Sequence, residues 1–231
     1  MSTFRHAADL RTQYPELVAV GMRVDGITPG ADVASAVAAY TAAARARLKG
    51  RTESELPEIA AWRRVFARMG LKPTQYRCAS EALLRRLRID GELPRIHPLV
   101  DLANAVSMAY AIPICVIDLD RVAGGIEVRF AAGDERYETF GGEIEQPEPG
   151  EVVFRDDDGW AHARRWTNRQ SGRSAVRAAT SRVLVVSEGV HATAADDVPR
   201  AMAVLADGIA GAWSVTPRTT ALAPDGSDLA L

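Results

Sequence analysis

The chain has 231 residues, with 28 basic and 30 acidic side chains, a net charge of −2 and 47% hydrophobic residues. This length is enough to bury one sizeable core, and the charge balance excludes a protein that holds nucleic acid by bulk electrostatics alone, so we expect no binding to DNA. Apolar runs fall short of the roughly 18 residues that a membrane helix requires, and the N-terminus has no signal-like apolar segment, so no membrane association is expected. Two cysteines, Cys78 and Cys115, form no disulfide framework, which favours a reducing cytoplasm.

Hydrophobic periodicity and turn residues predict a mixed α/β chain. The predicted helices, in chain order, are one between Asp32 and Gly50, residues 57–69, residues 81–87 with Ser80 as the cap, one from Pro98 to before Pro113, and one led by Asp196 and Asp197. The predicted strands are residues 17–24, 114–117, 126–131, 137–140, 151–155, 160–166 and 182–187. Residues 214–231 are rich in Thr, Pro and Ala without a period, so we expect a single domain over residues 1–213 and a disordered tail.

Residues 95–129 combine a helix, a sharp break and two strands without spare residues. Asp101 and Asn104 are three positions apart and share one face of the predicted helix. The apolar strand that follows ends at Asp118. Such a polar pair beside a strand that ends in aspartate is consistent with the wall of a pocket, and equally with packing.

This stretch also carries a resemblance to a known family. It contains R-x-x-x-x-V-D-x-x-N, then P-[IM]-x-x-x-D-x-D, then G-G-I-x-V-R. The residues that carry the match are Arg95, Val100, Asp101, Asn104, Pro113, Asp118, Asp120 and residues 124–129. The pattern resembles the B3/B4 editing domain of the bacterial phenylalanyl-tRNA synthetase β subunit, and it is similar to free-standing proteins that carry this domain alone. With weaker similarity at 62–64, 70–73, 149–151 and 165–171, the resemblance covers most of residues 60–190.

The resemblance implies an α+β fold: a β-sandwich-like core of unusual topology flanked by helices. It also implies hydrolytic editing of mischarged tRNA, with the aminoacylated 3′ end of tRNA as the partner and a synthetase as a further possible partner. The sequence contains no Cys-x-x-Cys, His-x-His or His-Glu-x-x-His motif and no phosphate-binding glycine loop. We therefore expect no metal and no cofactor.

An arginine-rich segment is the first candidate for contact with RNA. Six arginines and no acidic residue lie between Gly159 and Arg182, interleaved with Trp160 and Trp166. Guanidinium groups bind phosphates, and both side-chain types stack on bases; the alternative is a solvated face whose arginines pair with acids such as Asp156 to Asp158. The residues predicted to bind tRNA are Arg95, Arg165, Trp166, Arg169, Gln170 and Ser171.

The predicted catalytic group is Asn104, Cys115 and Asp118, placed around the aminoacyl moiety. This chain departs from the synthetase domain at two positions. That domain has a histidine where this chain has Cys115, and it has a glutamate near the position of Gln170 and Ser171. A cysteine in an apolar strand is usually a small buried hydrophobe, and a reactive thiol here requires a base, for which His97 or His162 are the candidates. Asp118 can instead form a turn through its own side chain.

These observations predict a free-standing hydrolase that deacylates mischarged tRNA in trans. The main alternative is a non-catalytic module that binds tRNA or an amino acid, having kept the fold and lost the editing groups. A cysteine hydrolase of small acyl substrates is a third reading.

Overall fold

The computed structural model describes residues 2–222 and 228–231. The strands are β1 (Thr3–His6), β2 (Val18–Asp25), β3 (Ile114–Asp118), β4 (Ile126–Phe130), β5 (Tyr137–Glu138), β6 (Ile144–Glu145), β7 (Val152–Asp156), β8 (Ala161–Arg164), β9 (Arg169–Gln170), β10 (Arg182–Gly189), β11 (Arg218–Ala221) and β12 (Leu229–Ala230). The helices are α1 (Ala8–Gln13), α2 (Ala34–Arg47), α3 (Pro57–Arg68), α4 (Ala79–Asp90), α5 (Pro98–Tyr110) and α6 (Ala194–Trp213), with short 3₁₀ turns at Glu53–Glu55 and Leu119–Arg121. The predicted α+β class is confirmed.

Two sheets form the centre of the molecule. The larger has the order β12-β1-β4-β7-β8-β9, in which β1 and β4 are parallel and the other pairs are antiparallel. The smaller is antiparallel with the order β11-β2-β10-β3, and β5 and β6 form a separate hairpin. The strands β3 and β9 are therefore edge strands of different sheets.

Strand β10 explains how the layers pack, because its side chains alternate between two cores. Leu184 and Val186 belong to the core between the two sheets. Val183 and Val185 belong to a second core, in which α5 and α6 cover the outer face of the smaller sheet. The result is a β-sandwich in which α5 and α6 cover the smaller sheet, while α1, α3 and α4 contribute to the core between the sheets.

Local sequence signals determine the path from α5 into β3. The ring of His97 accepts a hydrogen bond from the Leu99 amide at 3.2 Å and caps the helix, and Pro98 is its first residue. Ala111 ends the helix in the left-handed conformation, with φ of 57°. The predicted helix and the following strand are both confirmed.

Three expectations differ from the structure. Ser80 is not a cap: α4 begins at Ala79, and the buried Ser80 hydroxyl donates to the Ala111 carbonyl at 3.1 Å. The strand predicted at 160–166 is limited to β8, because Arg165 and Trp166 adopt positive φ and turn the chain. The tail is structured at β11 and β12, because each pairs with a strand near the N-terminus; residues 223–227 lie outside the described part.

Candidate functional site between the sheet edges

A small cavity opens where edge strands β3 and β9 meet, and we call it the sheet-edge cavity. Its volume is about 60 Å³. Its apolar walls include Pro113, Ile114, Phe154, Ala163, Trp166 and Val186. Its polar lining residues are Cys115, Thr167, Asn168, Arg169, Gln170 and Glu188. A pocket that is mostly apolar and carries a few polar groups is the usual form of a small-molecule site.

Glu188 brings an acidic side chain into this wall and is 2% exposed. One oxygen, Oε1, accepts hydrogen bonds from His6 Nε2 at 2.7 Å and from Trp166 Nε1 at 2.9 Å. Arg11 Nη2 lies 3.2 Å from the other ring nitrogen of His6, and a guanidinium can only donate. The His6 ring therefore lies between Arg11 and Glu188 and links the two side chains.

The turn between β8 and β9 forms the floor of the cavity. Arg165 and Trp166 have φ of 50° and 57°, an uncommon conformation for residues other than glycine. It directs the Trp166 indole inward, where Trp62 and Tyr14 pack edge-on at centroid distances of 5.1 and 5.0 Å. The Thr167 carbonyl accepts from the Ala79 amide at 2.8 Å, which ties the turn to the start of α4. The floor is thus held rigidly from two sides.

Polar groups on the edge strands complete the cavity. Gln170 on β9 donates through Nε2 to the Val116 carbonyl on β3 at 2.6 Å, which links the two sheets. The Thr167 hydroxyl is buried and has no hydrogen-bond partner within residues 2–222 and 228–231. A buried hydroxyl without a partner is costly, so it is a candidate contact for a ligand or a water molecule.

Cys115 lines the cavity, but its thiol is not activated. Burial and, to a lesser degree, the charge of Glu188 raise the pKa of the Cys115 thiol to about 12. The predicted bases are elsewhere: His97 caps α5, and His162 lies between Ser174 at 2.8 Å and Asp156 at 3.2 Å. The geometry therefore favours packing over nucleophilic chemistry for this thiol.

Comparison with known proteins assigns the fold to a family. The family model described as B3/4 domain matches residues 61–204, more than half of the chain. The chain belongs to the B3/4 domain family. Over 54 residues it is 46% identical to the phenylalanine–tRNA ligase beta subunit of Coxiella burnetii, which covers 23% of this chain and 7% of that protein. Over 77 residues it is 38% identical to the same subunit of Geobacter metallireducens, which covers 33% and 10%.

The fold of this B3/4 chain also has a solved counterpart. An N-terminal fragment of the phenylalanyl-tRNA synthetase beta subunit from Pyrococcus horikoshii matches it with a TM-score of 0.50 and 11% identity. The match covers 94% of this chain and 50% of that one, so it shows a shared fold. The matched segments span a tenth or less of the two curated relatives and half of the solved fragment. The predicted resemblance is confirmed.

The three residues predicted to be catalytic do not meet in the B3/4 chain. Asn104 lines a different depression of about 240 Å³ between α2 and α5, with Arg95 and Asp101. Asp118 is 5% exposed, and its carboxylate accepts from the Thr180 hydroxyl at 2.7 Å and from the Asp120 amide at 3.0 Å. Of the three, Cys115 alone lines the sheet-edge cavity, and the catalytic role of each stays a prediction.

The residues predicted to bind tRNA differ in how exposed their side chains are. Arg169, 41% exposed in its side chain, and Gln170 line the cavity. Arg165 is 18% exposed. Trp166 and Ser171 are 0% exposed, so neither is accessible to a base in this structure, and Trp166 lines the cavity from below. Arg95 is exposed but lies at the Asn104 depression.

Among the described residues, the carboxylates that pair with arginines of this segment are Glu145, Glu151 and Asp120. Arg164 pairs with Glu151 at 2.6 Å and with Glu145 at 2.7 Å, and Arg169 pairs with Glu145 at 3.1 Å. Burial opposes ionisation of Glu151, but its hydrogen bonds with Arg164 outweigh this and lower the pKa of Glu151. Six arginines thus share three paired carboxylates, so these ion pairs leave the segment with a net positive charge.

Sequence reasoning missed Glu188, His6 and Thr167. An acid that ends the apolar run of β10 was a usable signal for Glu188. His6 had no such signal, because its position depends on the pairing of β1 with β4. Among the described residues no helix is long and apolar enough to span a bilayer, and no group of three or more His, Cys, Asp or Glu side chains is arranged to hold a metal.

Proposed function

We propose that this protein is an ester hydrolase that removes a wrongly attached amino acid from the 3′ end of tRNA, acting in trans in the cytoplasm. Membership of the B3/4 domain family supports a role linked to tRNA editing. The observation that carries the proposal is the sheet-edge cavity, whose mostly apolar lining includes Glu188 and Thr167. A second hydrolytic sieve is useful because one methylene gives a synthetase only about 10- to 200-fold discrimination.

The proposed nucleophile is water. A thiol with a pKa of about 12 is almost entirely protonated near neutral pH, which argues against Cys115 as the attacking group. Water adds to the ester carbonyl, the bond to the ribose oxygen breaks, and that oxygen takes up a proton, which yields free amino acid and uncharged tRNA. Thr167 lines the cavity, and its buried hydroxyl has no hydrogen-bond partner among the described residues, so we assign it to hold the water or the carbonyl oxygen.

Arg169 is the residue we assign to the RNA end. It stands at the cavity, and its ion pair with Glu145 is partly exposed on both sides, at 41% and 34%. Exposed ion pairs contribute about 0.2–1 kcal/mol, so an RNA phosphate can replace Glu145 at little cost. Replacement of Arg169 by alanine should weaken tRNA binding and flatten its salt dependence by about 0.7 per lost phosphate contact.

The test is release of labelled amino acid from a panel of correctly and incorrectly charged tRNAs at low salt. We expect selective release from a mischarged species and a slower rate for Arg169→Ala. Arg200→Ala is the matched control, because Arg200 is also exposed and ion-paired, with Asp197 on α6. Absence of release from every species would refute the hydrolase, and an unchanged salt slope for Arg169→Ala would remove the RNA role of Arg169.

A non-catalytic module that binds tRNA or an amino acid is the second candidate. The observation that favours it is that, among the described residues that line the cavity, none is a histidine and the thiol is not activated. In that case the same panel gives tRNA or amino-acid binding without release. A synthetase as a partner is tested by adding the phenylalanyl enzyme to the assay and measuring whether release accelerates.

A further inference from the structure

Part of the arginine-rich segment lies outside the sheet-edge cavity and is not used by the reaction proposed above. Trp160, Arg173 and Arg177 belong to this segment, and Arg136 and Phe140 flank strand β5. We call these five residues the stacking surface. Resting on the function proposed above, we infer that the stacking surface binds the unpaired nucleotides next to the 3′ end of tRNA, with a base on Phe140 and phosphates on the three arginines.

The three arginines of the stacking surface are held without being neutralised. The guanidinium carbons of Arg136 and Arg173 lie 4.2 and 4.0 Å from the ring centroid of Trp160. The hydrogen bonds that the guanidinium groups of Arg136 and Arg177 donate end on backbone carbonyls, at 3.0 and 3.1 Å. In the part of the chain that the structure describes, none of the three arginines pairs with a carboxylate, and the buried Arg173 Nε has no hydrogen-bond partner. An aromatic ring and a carbonyl orient a guanidinium but leave its charge, so a phosphate supplies the missing counter-charge.

Phe140 contributes an aromatic face to the stacking surface. It is 74% exposed, in the turn between β5 and β6. The backbone of this turn is ordered, because the Thr139 hydroxyl accepts hydrogen bonds from the amides of Gly141 at 3.2 Å and Glu143 at 3.1 Å. An aromatic ring on a fixed backbone offers a stacking face to any base at a low entropic cost.

The stacking surface is continuous with the sheet-edge cavity. Gln170 lines the cavity, and its carbonyl accepts a hydrogen bond from the Tyr137 hydroxyl of β5 at 2.7 Å. Gly172 lies against the backbone of Phe140, so closely that an added Cβ would be 2.9 Å from the Phe140 Cα. Arg173 follows Gln170 by three residues, a distance of at most about 11 Å. An RNA strand whose last nucleotide is at the cavity therefore brings its preceding nucleotides to the stacking surface.

The experiment measures RNA binding and not hydrolysis. We compare by fluorescence anisotropy unfractionated uncharged tRNA with the same tRNA trimmed back to its last base pair. We expect the intact tRNA to bind more tightly. Phe140→Ala should weaken binding of the intact tRNA by about 5- to 150-fold, the effect of one stacked base, and should leave binding of the trimmed tRNA unchanged.

Two further variants separate base stacking from general apolar contact. Phe140→Leu keeps the apolar side chain and removes the ring, so it should weaken binding as Phe140→Ala does. Ile144→Ala, at an exposed apolar residue of the same hairpin, is the control and should bind normally. Unchanged binding by Phe140→Ala or full binding by Phe140→Leu overturns base stacking, and so does equal binding of intact and trimmed tRNA.

Arg177→Gln tests the phosphate contacts. We expect weaker binding of the intact tRNA and a salt slope that is smaller by about 0.7, the value for one phosphate contact on a single strand. Arg200→Gln is the control, because Arg200 is exposed on α6 and pairs with Asp197. An unchanged slope for Arg177→Gln refutes the phosphate contact. Displacement of the RNA by an equal concentration of polyglutamate would instead make this surface a docking site for an acidic protein and refute the RNA role.

The outcomes for the two proposals are separable. Weaker RNA binding by Phe140→Ala together with no release from any charged tRNA supports the stacking surface and refutes the hydrolase. Release from a mischarged tRNA together with unchanged RNA binding by Phe140→Ala supports the hydrolase and refutes the stacking surface. Failure in both assays refutes both.

Discussion

Removal of the Glu188 side chain should lower the free energy of unfolding, because two buried donors hydrogen-bond to its carboxylate. In Glu188→Ala, His6 Nε2 and Trp166 Nε1 lose their acceptor, and both side chains are almost fully buried, at 1% and 0% exposed. An unsatisfied buried donor costs about 1–3 kcal/mol, so two cost about 2–6 kcal/mol. For a chain of this length this lowers the midpoint of thermal unfolding by at least about 4 °C.

Glu188→Gln serves as the internal comparison. It retains a carbonyl oxygen for both donors but replaces two charge-assisted hydrogen bonds by neutral ones. Because charge-assisted bonds contribute about 0.5–1 kcal/mol more each, we expect the two replacements to lower the free energy of unfolding by about 1–2 kcal/mol. The assay is urea unfolding followed by tryptophan fluorescence and circular dichroism, with the free energy of unfolding extrapolated to water.

Two outcomes of this comparison would contradict the expected role of Glu188. If Glu188→Ala costs less than about 1 kcal/mol, or if alanine and glutamine cost the same, then His6 and Trp166 do not depend on this carboxylate. The cavity wall would then not be preorganised in the way the hydrogen bonds indicate.

Three further predictions concern the cavity and its supports. Cys115→Ser should deacylate at a rate within about tenfold of the unmodified protein, because loss of a true nucleophile lowers the rate by about 10⁴-fold or more. A loss of that size in a single-turnover assay would support the thiol mechanism instead. Gly172→Ala should lower the free energy of unfolding by about 1–3 kcal/mol, because an added Cβ would lie 2.5 Å from the Thr139 carbonyl oxygen. Gly211→Ala, where the added Cβ meets open space on α6, is the control and should be neutral or stabilising in the same unfolding assay. Burial alone raises the pKa of Asp156, but hydrogen bonds from His162 and backbone amides outweigh burial and leave that pKa lowered. The ionised Asp156 therefore stabilises the fold above the unfolded-state pKa of about 4, and this stabilisation is lost as the pH falls through the folded-state pKa. Asp156→Asn should reduce this loss of stability below pH 4, and an identical pH dependence in the variant would contradict the assignment.

Local signals in the sequence were sufficient for the elements that depend on near neighbours. Pro98 at the first helical position and Pro113 after the last turn delimit α5, and the apolar run that follows is β3. Steric and hydrogen-bonding restrictions at proline act within a few residues, so they are readable without the fold. The motif around these elements also identified the B3/4 domain family.

Pairing between distant segments decided what local signals could not. Ser80 has the chemistry of a cap, yet α4 begins one residue earlier and buries it. The C-terminal residues lack periodicity, yet β11 and β12 pair with β2 and β1, more than 190 residues away. Backbone hydrogen bonds of an edge strand require a partner strand and not a hydrophobic pattern, so composition alone could not reveal them.

The site shows the same division. The sequence by itself determined the arginine and tryptophan content of residues 159–182 and the position of Cys115. Only the tertiary structure decided that Trp166 is buried and that Asn104 lies away from Cys115. It also decided that Glu188 lines the cavity while it is hydrogen-bonded to His6. Burial and the neighbours of a charge depend on which strands lie side by side, and that is a property of the whole fold.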